Sequence, residues 1–245
     1  MKVLSIFKIQ KERIKYYKNQ FLVNVLLSFF GVFVEISLLQ IFAGETIQIT
    51  VYVLLSTLIF TSLATNKIPE YCQAIKKGEV IRYYIRPLNF FHYVLIEEIG
   101  NSFLNFMQMF PLFIVAVLFQ KPTLLVMLFF MFTLFLSIIL ASMITVSVFS
   151  LSLVLSNFVA TKALLTCISG FFSGGMIPLT MLPDFFKEIS YKTPFAYLID
   201  GPIKVFHNTD IGEVIFFQFL WILVFYSVGY IFFHYFEKKI TVFGG

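Results

Sequence analysis

NKIPEYCQAIKKGEVIRYYIRPLNFF, residues 66–91, is the one long polar interruption in the first half of an otherwise apolar chain. Lys67, Lys76, Lys77, Arg82 and Arg86 lie here between two apolar runs. Clustered cations between hydrophobic segments mark a cytoplasmic loop. Ala74 to Ile85 can form a short helix that sets Ile75, Val80 and Ile81 among charges, and Pro87 stops it. A short amphipathic helix held beneath a membrane bundle has the shape needed to dock on a soluble partner.

Composition makes the rest of the bundle. Of 245 residues, 59% are hydrophobic and only 13% charged. A soluble domain of this size carries roughly a quarter charged residues, so the chain reads as an integral membrane protein. At about 20 residues per span, the apolar runs allow six helices. Thirty-four phenylalanines suit lipid contact and packing. The two cysteines, Cys72 and Cys167, sit in different settings and define no disulfide framework.

Residues 1–20 carry six cations and no cleavage pattern, so they are read as an interfacial amphipathic helix rather than a signal peptide. Val3, Ile6, Phe7, Ile14 and Tyr17 share its apolar arc. Spans are expected at 21–42, 47–65, 93–119, 123–150, 163–178 and 211–236. The second and third are joined by the basic segment, taken as 67–91. A cytoplasmic turn is expected near Ser156–Lys162. Residues 179–210 are expected outside, as short helices broken by Pro183, Pro194 and Pro202 that dip into the membrane edge. Fourteen Lys and Arg fall on the proposed inner side and four, Lys121, Lys187, Lys192 and Lys204, outside. That bias places both termini in the cytoplasm.

Two groups of residues then resemble a family, the membrane subunits of type-2 ABC exporters, in a bacterial six-span subgroup. One is Gly78 to Leu88, GEVIRYYIRPL. The other is Ser173-Gly174-Gly175-Met176-Ile177-Pro178-Leu179, followed by Leu182-Pro183, Thr193-Pro194-Phe195 and Gly201-Pro202-Ile203. The resemblance implies a permease subunit in the bacterial plasma membrane, paired with an identical or homologous permease and with two cytoplasmic ATPase subunits. ATP and Mg would bind the ATPase, not this chain. Residues 67–91 would be the coupling helix, the N-terminal helix the connecting helix, and 179–203 the re-entrant helices roofing the path. In the coupling helix, Ile75, Val80, Ile81 and Tyr84 would seat in the partner's groove. Lys76, Lys77, Glu79, Arg82 and Arg86 would orient it.

Intramembrane polar residues are the other candidates. Glu35, in the first span, is costly unless it faces a partner, water or a hydrogen bond. Glu97, Glu98 and Asn101 open the third span and could meet cargo or pair structurally with Arg82 or Arg86. No phosphate-binding G-x-x-x-x-G-K-[ST] pattern occurs, His92, His207 and His234 are scattered, and no nucleophile–base set shares a depth. The chain is therefore expected not to be an enzyme or to bind nucleic acid. The expected cargo is a hydrophobic or amphipathic small molecule, peptide or lipid. Two other classes fit the hydropathy: a six-span secondary transporter or channel, and a membrane immunity or scaffold protein. Secondary transporters tend to place broken helices at the midplane within repeats, and the halves of this chain show no convincing repeat.

Overall fold

The computed structural model describes residues 18–43, 47–63, 90–155 and 158–237, in which all regular structure is helical. Four long helices dominate: α1 (Lys18–Ala43), α3 (Phe90–Gln120), α4 (Leu124–Leu155) and, at the far end of the chain, α8 (Ile211–Glu237). Each contains a stretch long and apolar enough to cross a membrane: Val23–Ile41, Phe91–Gln120, Leu124–Ser150 and Ile211–Tyr235. Two shorter apolar helices accompany them, α2 (Ile47–Leu63) and α5 (Phe158–Phe172). α5 has only 15 residues. A connector joins α5 to α8. It holds a 3₁₀ turn at Leu179–Met181, α6 (Asp184–Lys192), a second 3₁₀ turn at Ala196–Leu198, and α7 (Asp200–Phe206).

α2 packs along α3, α8 along α4, and α7 lies against α4. Leu55, Leu58, Leu112, Phe130 and Leu140 are fully buried where these helices meet. α1 stands outermost, with Leu26, Phe30 and Phe33 about two-thirds exposed (68%, 67% and 69%). In a membrane such faces contact lipid at no hydrophobic cost. Phe113 and Phe130 stack at 5.5 Å between centroids. Phe206 of α7 meets both edge-on, at 6.3 and 5.2 Å, so an aromatic trio seats the connector on α3 and α4.

Three boundaries differ from the sequence expectation. α4 runs on to Leu155 and α5 starts at Phe158, so most of the expected turn at 156–162 is helical. Serines along the second half of α4 fold their hydroxyls back onto their own helix: Ser142 to the Ile138 carbonyl, Ser147 to Met143 and Ser150 to Val146, at 2.7–2.9 Å. Back-bonded serines are compatible with a continuing helix. The expected fifth span, 163–178, stops as a helix at Phe172. Beyond it, Gly174 takes φ +80°, and the Met176 amide returns to the Gly170 carbonyl at 3.1 Å. α3 begins at Phe90 rather than 93 and carries Pro111 inside it. The interfacial helix of residues 1–20, apart from its last three residues, and the coupling segment 67–91, apart from Phe90 and Phe91, lie outside the described residues.

Candidate functional site

The connector is built by its prolines. Pro178 and Pro183 immediately precede the first 3₁₀ turn and α6. Pro194 follows Thr193, where α6 ends. Pro202 falls in the first turn of α7. A helix start needs no amide hydrogen from its first residues, so proline there costs nothing and fixes the backbone. Gly174 and Gly175 make the turn that brings this folded piece against α2. A Cβ at Gly174 would overlap the Tyr52 hydroxyl, and one at Gly175 would press on Ile199 and Phe60.

What these backbone choices position is a buried carboxylate. Asp200 opens α7 and is 3% exposed. Its Oδ2 accepts from the Tyr191 hydroxyl of α6 at 2.7 Å, and its Oδ1 from the Tyr52 hydroxyl of α2 at 3.2 Å. The Tyr52 hydroxyl also lies 3.1 Å from the Gly174 carbonyl. The Asp200 amide donates to the Ser173 carbonyl at 3.1 Å. One residue therefore ties α2, the end of α5, α6 and α7 together. Burial raises the Asp200 pKa above its ordinary value, opposed by the two tyrosine hydroxyls and the nearby charges of Lys204 and Lys187. Burial first, then the Asp200 charge, pushes the Tyr191 phenol up, so it remains a donor. Lys204 sits over the Tyr191 ring at 4.2 Å and reaches Asp210 at 3.3 Å.

A second polar junction holds the other side of the connector. Gln218 of α8 is fully buried. Its Nε2 faces the Tyr197 carbonyl and the Ser137 Oγ at 2.9 Å each, and the Thr133 carbonyl at 3.1 Å. Ser137 in turn donates to the Tyr197 carbonyl at 3.2 Å. The Tyr197 ring stacks on Phe217, 4.9 Å between centroids. A third contact pairs Gln120 Nε2, at the end of α3, with His207 Nδ1 at 2.8 Å. Burial lowers the His207 pKa, which suits a neutral ring whose Nδ1 accepts.

The intramembrane candidates fall in two places. Glu98 is fully buried, with Glu97 and Asn101 half-buried beside it. Its carboxylate lies within electrostatic reach of the Lys162 ammonium on α5. Lys162 also lines a cavity of about 310 Å³ whose walls include Phe60, Ile144, Leu165, Ser169 and Ile199. Glu35 stands apart from them, facing Thr57 of α2 at 3.4 Å. Ile75, Lys76, Lys77, Glu79, Val80, Ile81, Arg82, Tyr84 and Arg86 lie outside the described residues. Among the described residues no cluster of His, Cys, Asp or Glu could hold a metal.

Tyr52, Tyr191, Asp200 and Gln218 were not singled out from sequence. Asp200 alone carries a signal, a lone carboxylate in the apolar run AYLIDGPI. The tyrosines and Gln218 carry none, because their partners are remote in the chain.

A chain whose described residues are helical, with several membrane-length apolar helices and a proline-punctuated connector before the last of them, is a multi-pass membrane protein. Residues 21–241 match the model of the ABC-2 family transporter protein, and the chain belongs to that family. No curated protein and no solved structure matches it. Members of this family are the permease components of ABC transporters, and their ATPase is a partner chain.

Proposed function

We propose that this chain is the permease subunit of an ATP-driven exporter that pairs with a second permease, identical or homologous, and with two cytoplasmic ATPase subunits. α1, α2, α3, α4, α5 and α8 are its six spans, and both termini are cytoplasmic. ATP and Mg act on the ATPase. The cargo is a hydrophobic or amphipathic small molecule, peptide or lipid. The observation that carries this reading is the position of α2. Tyr52, in its second turn, is bonded to the connector, and its other end, Leu63, leads into the basic segment 67–91.

Closure of an ATPase dimer on ATP moves the grooves that would seat Ile75, Val80, Ile81 and Tyr84. A rigid helix attached to that seat tilts with it. Through Tyr52 and Asp200 the tilt of α2 is passed to the connector, which roofs the path. The Glu98–Lys162 region, at the cytoplasmic ends of α3 and α5, is the polar mouth of the bundle. Pull-down of the intact chain with its native partners tests the assembly. An ATPase should copurify, and Ile81→Glu or Arg82→Glu should release it. Absence of any ATPase from the intact chain's complex would sink the exporter reading.

A further inference from the structure

We propose that a groove bounded by α1, α2 and α3 binds the ammonium head of a cationic amphiphile, with Glu35 as its counter-ion. Asn24, Ser28, Gly31 and Glu35 recur at i, i+4, i+7 and i+11, so they form one stripe on an otherwise apolar helix. At 1.5 Å per residue the stripe is about 16 Å long. Asn105 and Gln108 of α3 face it, and Thr57 and Thr61 of α2 also line the space, which measures about 500 Å³. That falls within the roughly 300–1,000 Å³ of sites that hold drug-sized ligands.

Charge decides the ligand. Among the described residues, Glu35 is the one ionisable side chain lining the groove; the other polar residues there are amides and hydroxyls. Its described hydrogen bond, from Thr57, is long at 3.4 Å. A carboxylate at this depth is costly unless it is paired. An ammonium supplies the opposite charge, and the amide and hydroxyl oxygens can accept its remaining hydrogens. An anionic head would meet repulsion instead. A small bare metal cation prefers six or more oxygens around it, which a single carboxylate does not organise.

Access and shape favour an amphiphile over a free amine. Gly31 is exposed, and a Cβ added there meets nothing within 4 Å. The middle of the stripe is thus open from the lipid side. Leu27, which is 62% exposed, and Met109 give apolar contact for a hydrocarbon tail. The groove and the Asp200 junction use different residues of α2: Thr57 serves one and Tyr52 the other. Binding here stands independently of the ATPase; only its meaning as cargo entry rests on the exporter reading.

The test uses the full chain in nanodiscs with a photoreactive dodecylammonium probe, a primary amine protonated at neutral pH, and peptide mapping of the labelled sites. Labelling is expected on 24–35 and 105–109. Glu35→Gln should weaken it about tenfold, equivalent to about 1.4 kcal/mol, and Glu35→Asp should recover most of it. A dodecyl sulfate probe of equal length should not label these peptides. Equal labelling by the sulfate, or labelling unchanged in Glu35→Gln, overturns the proposal. Should Glu35→Gln fail to fold, Gly31→Phe fills the groove from its open position and is expected to block labelling; unblocked labelling overturns the proposal equally. Competition confined to phosphatidylethanolamine discs, and lacking in phosphatidylglycerol discs, would identify the natural occupant as a lipid head group. Equal labelling in both would identify a free amphiphile. Retained labelling in a chain that recruits no ATPase would refute the exporter reading and leave the groove intact.

Discussion

Asp200 concentrates more of the connector's geometry than any other described side chain, and its titration is a direct probe. Its folded pKa is raised by burial. The stability it contributes is therefore fully present below the ordinary value of 3.8 and is lost as pH rises through the folded value. Thermal unfolding in nanodiscs should show the wild type losing ground against Asp200→Asn as pH rises above 3.8; parallel curves would contradict the assignment. His207 works in the opposite sense. Burial depresses its folded pKa, so its contribution is present above 6.5 and is lost as pH falls through the folded value. His207→Gln should remove that acid-side loss. Gly174→Ala forces a β-carbon into left-handed backbone, at a cost of roughly 1–2 kcal/mol, and displaces the Tyr52 hydroxyl. Its unfolding temperature should fall, and Tyr52→Phe in the same chain should not lower it much further, since the two changes act on one contact.

The helices explain which parts of the fold could be read in advance. Apolar length placed α1, α3, α4 and α8, because a membrane-crossing helix announces itself by composition alone. Proline spacing foretold that 179–210 would break into short helices, because each proline forbids an interior helical amide. Around the join of α4 and α5, α4 is described to Leu155 and α5 from Phe158, so the expected turn near Ser156–Lys162 is helical over 158–162; polar side chains in an apolar run do not mark where a helix resumes. The two junctions were unreadable for a different reason. Tyr52 and Asp200 are 148 residues apart, and Gln218 and Thr133 are 85 apart; a single sequence has no periodicity at that range. Gln218→Leu should remove the side-chain amide that joins Thr133, Ser137 and Tyr197 and destabilise the bundle by about 1–3 kcal/mol, measured by thermal unfolding. If α2 carries motion to the connector, Tyr52→Phe in the assembled complex should leave ATP hydrolysis running while transport falls. Equal loss of both would place the transmission elsewhere.

For the whole molecule, the decisive question is which ends of the bundle share a side of the membrane. With Cys72 and Cys167 replaced by serine, Asn208→Cys should react with an impermeant maleimide on intact cells. Lys239→Cys should react only after permeabilisation. The reverse pattern would invert the topology and place the connector on the ATPase side. One further property belongs to the molecule as a whole. At 15 residues and 1.5 Å each, α5 rises only about 22 Å, whereas a typical hydrocarbon layer is about 30 Å thick. At its second end Gly174 turns the chain away. If α5 crosses the membrane as proposed, surrounding lipid compresses toward it, at fractions of a kcal/mol per Å of mismatch. Bilayer thickness would then be a mechanical input to this protein, with short-chain lipids relaxing the compression and long-chain lipids tightening it.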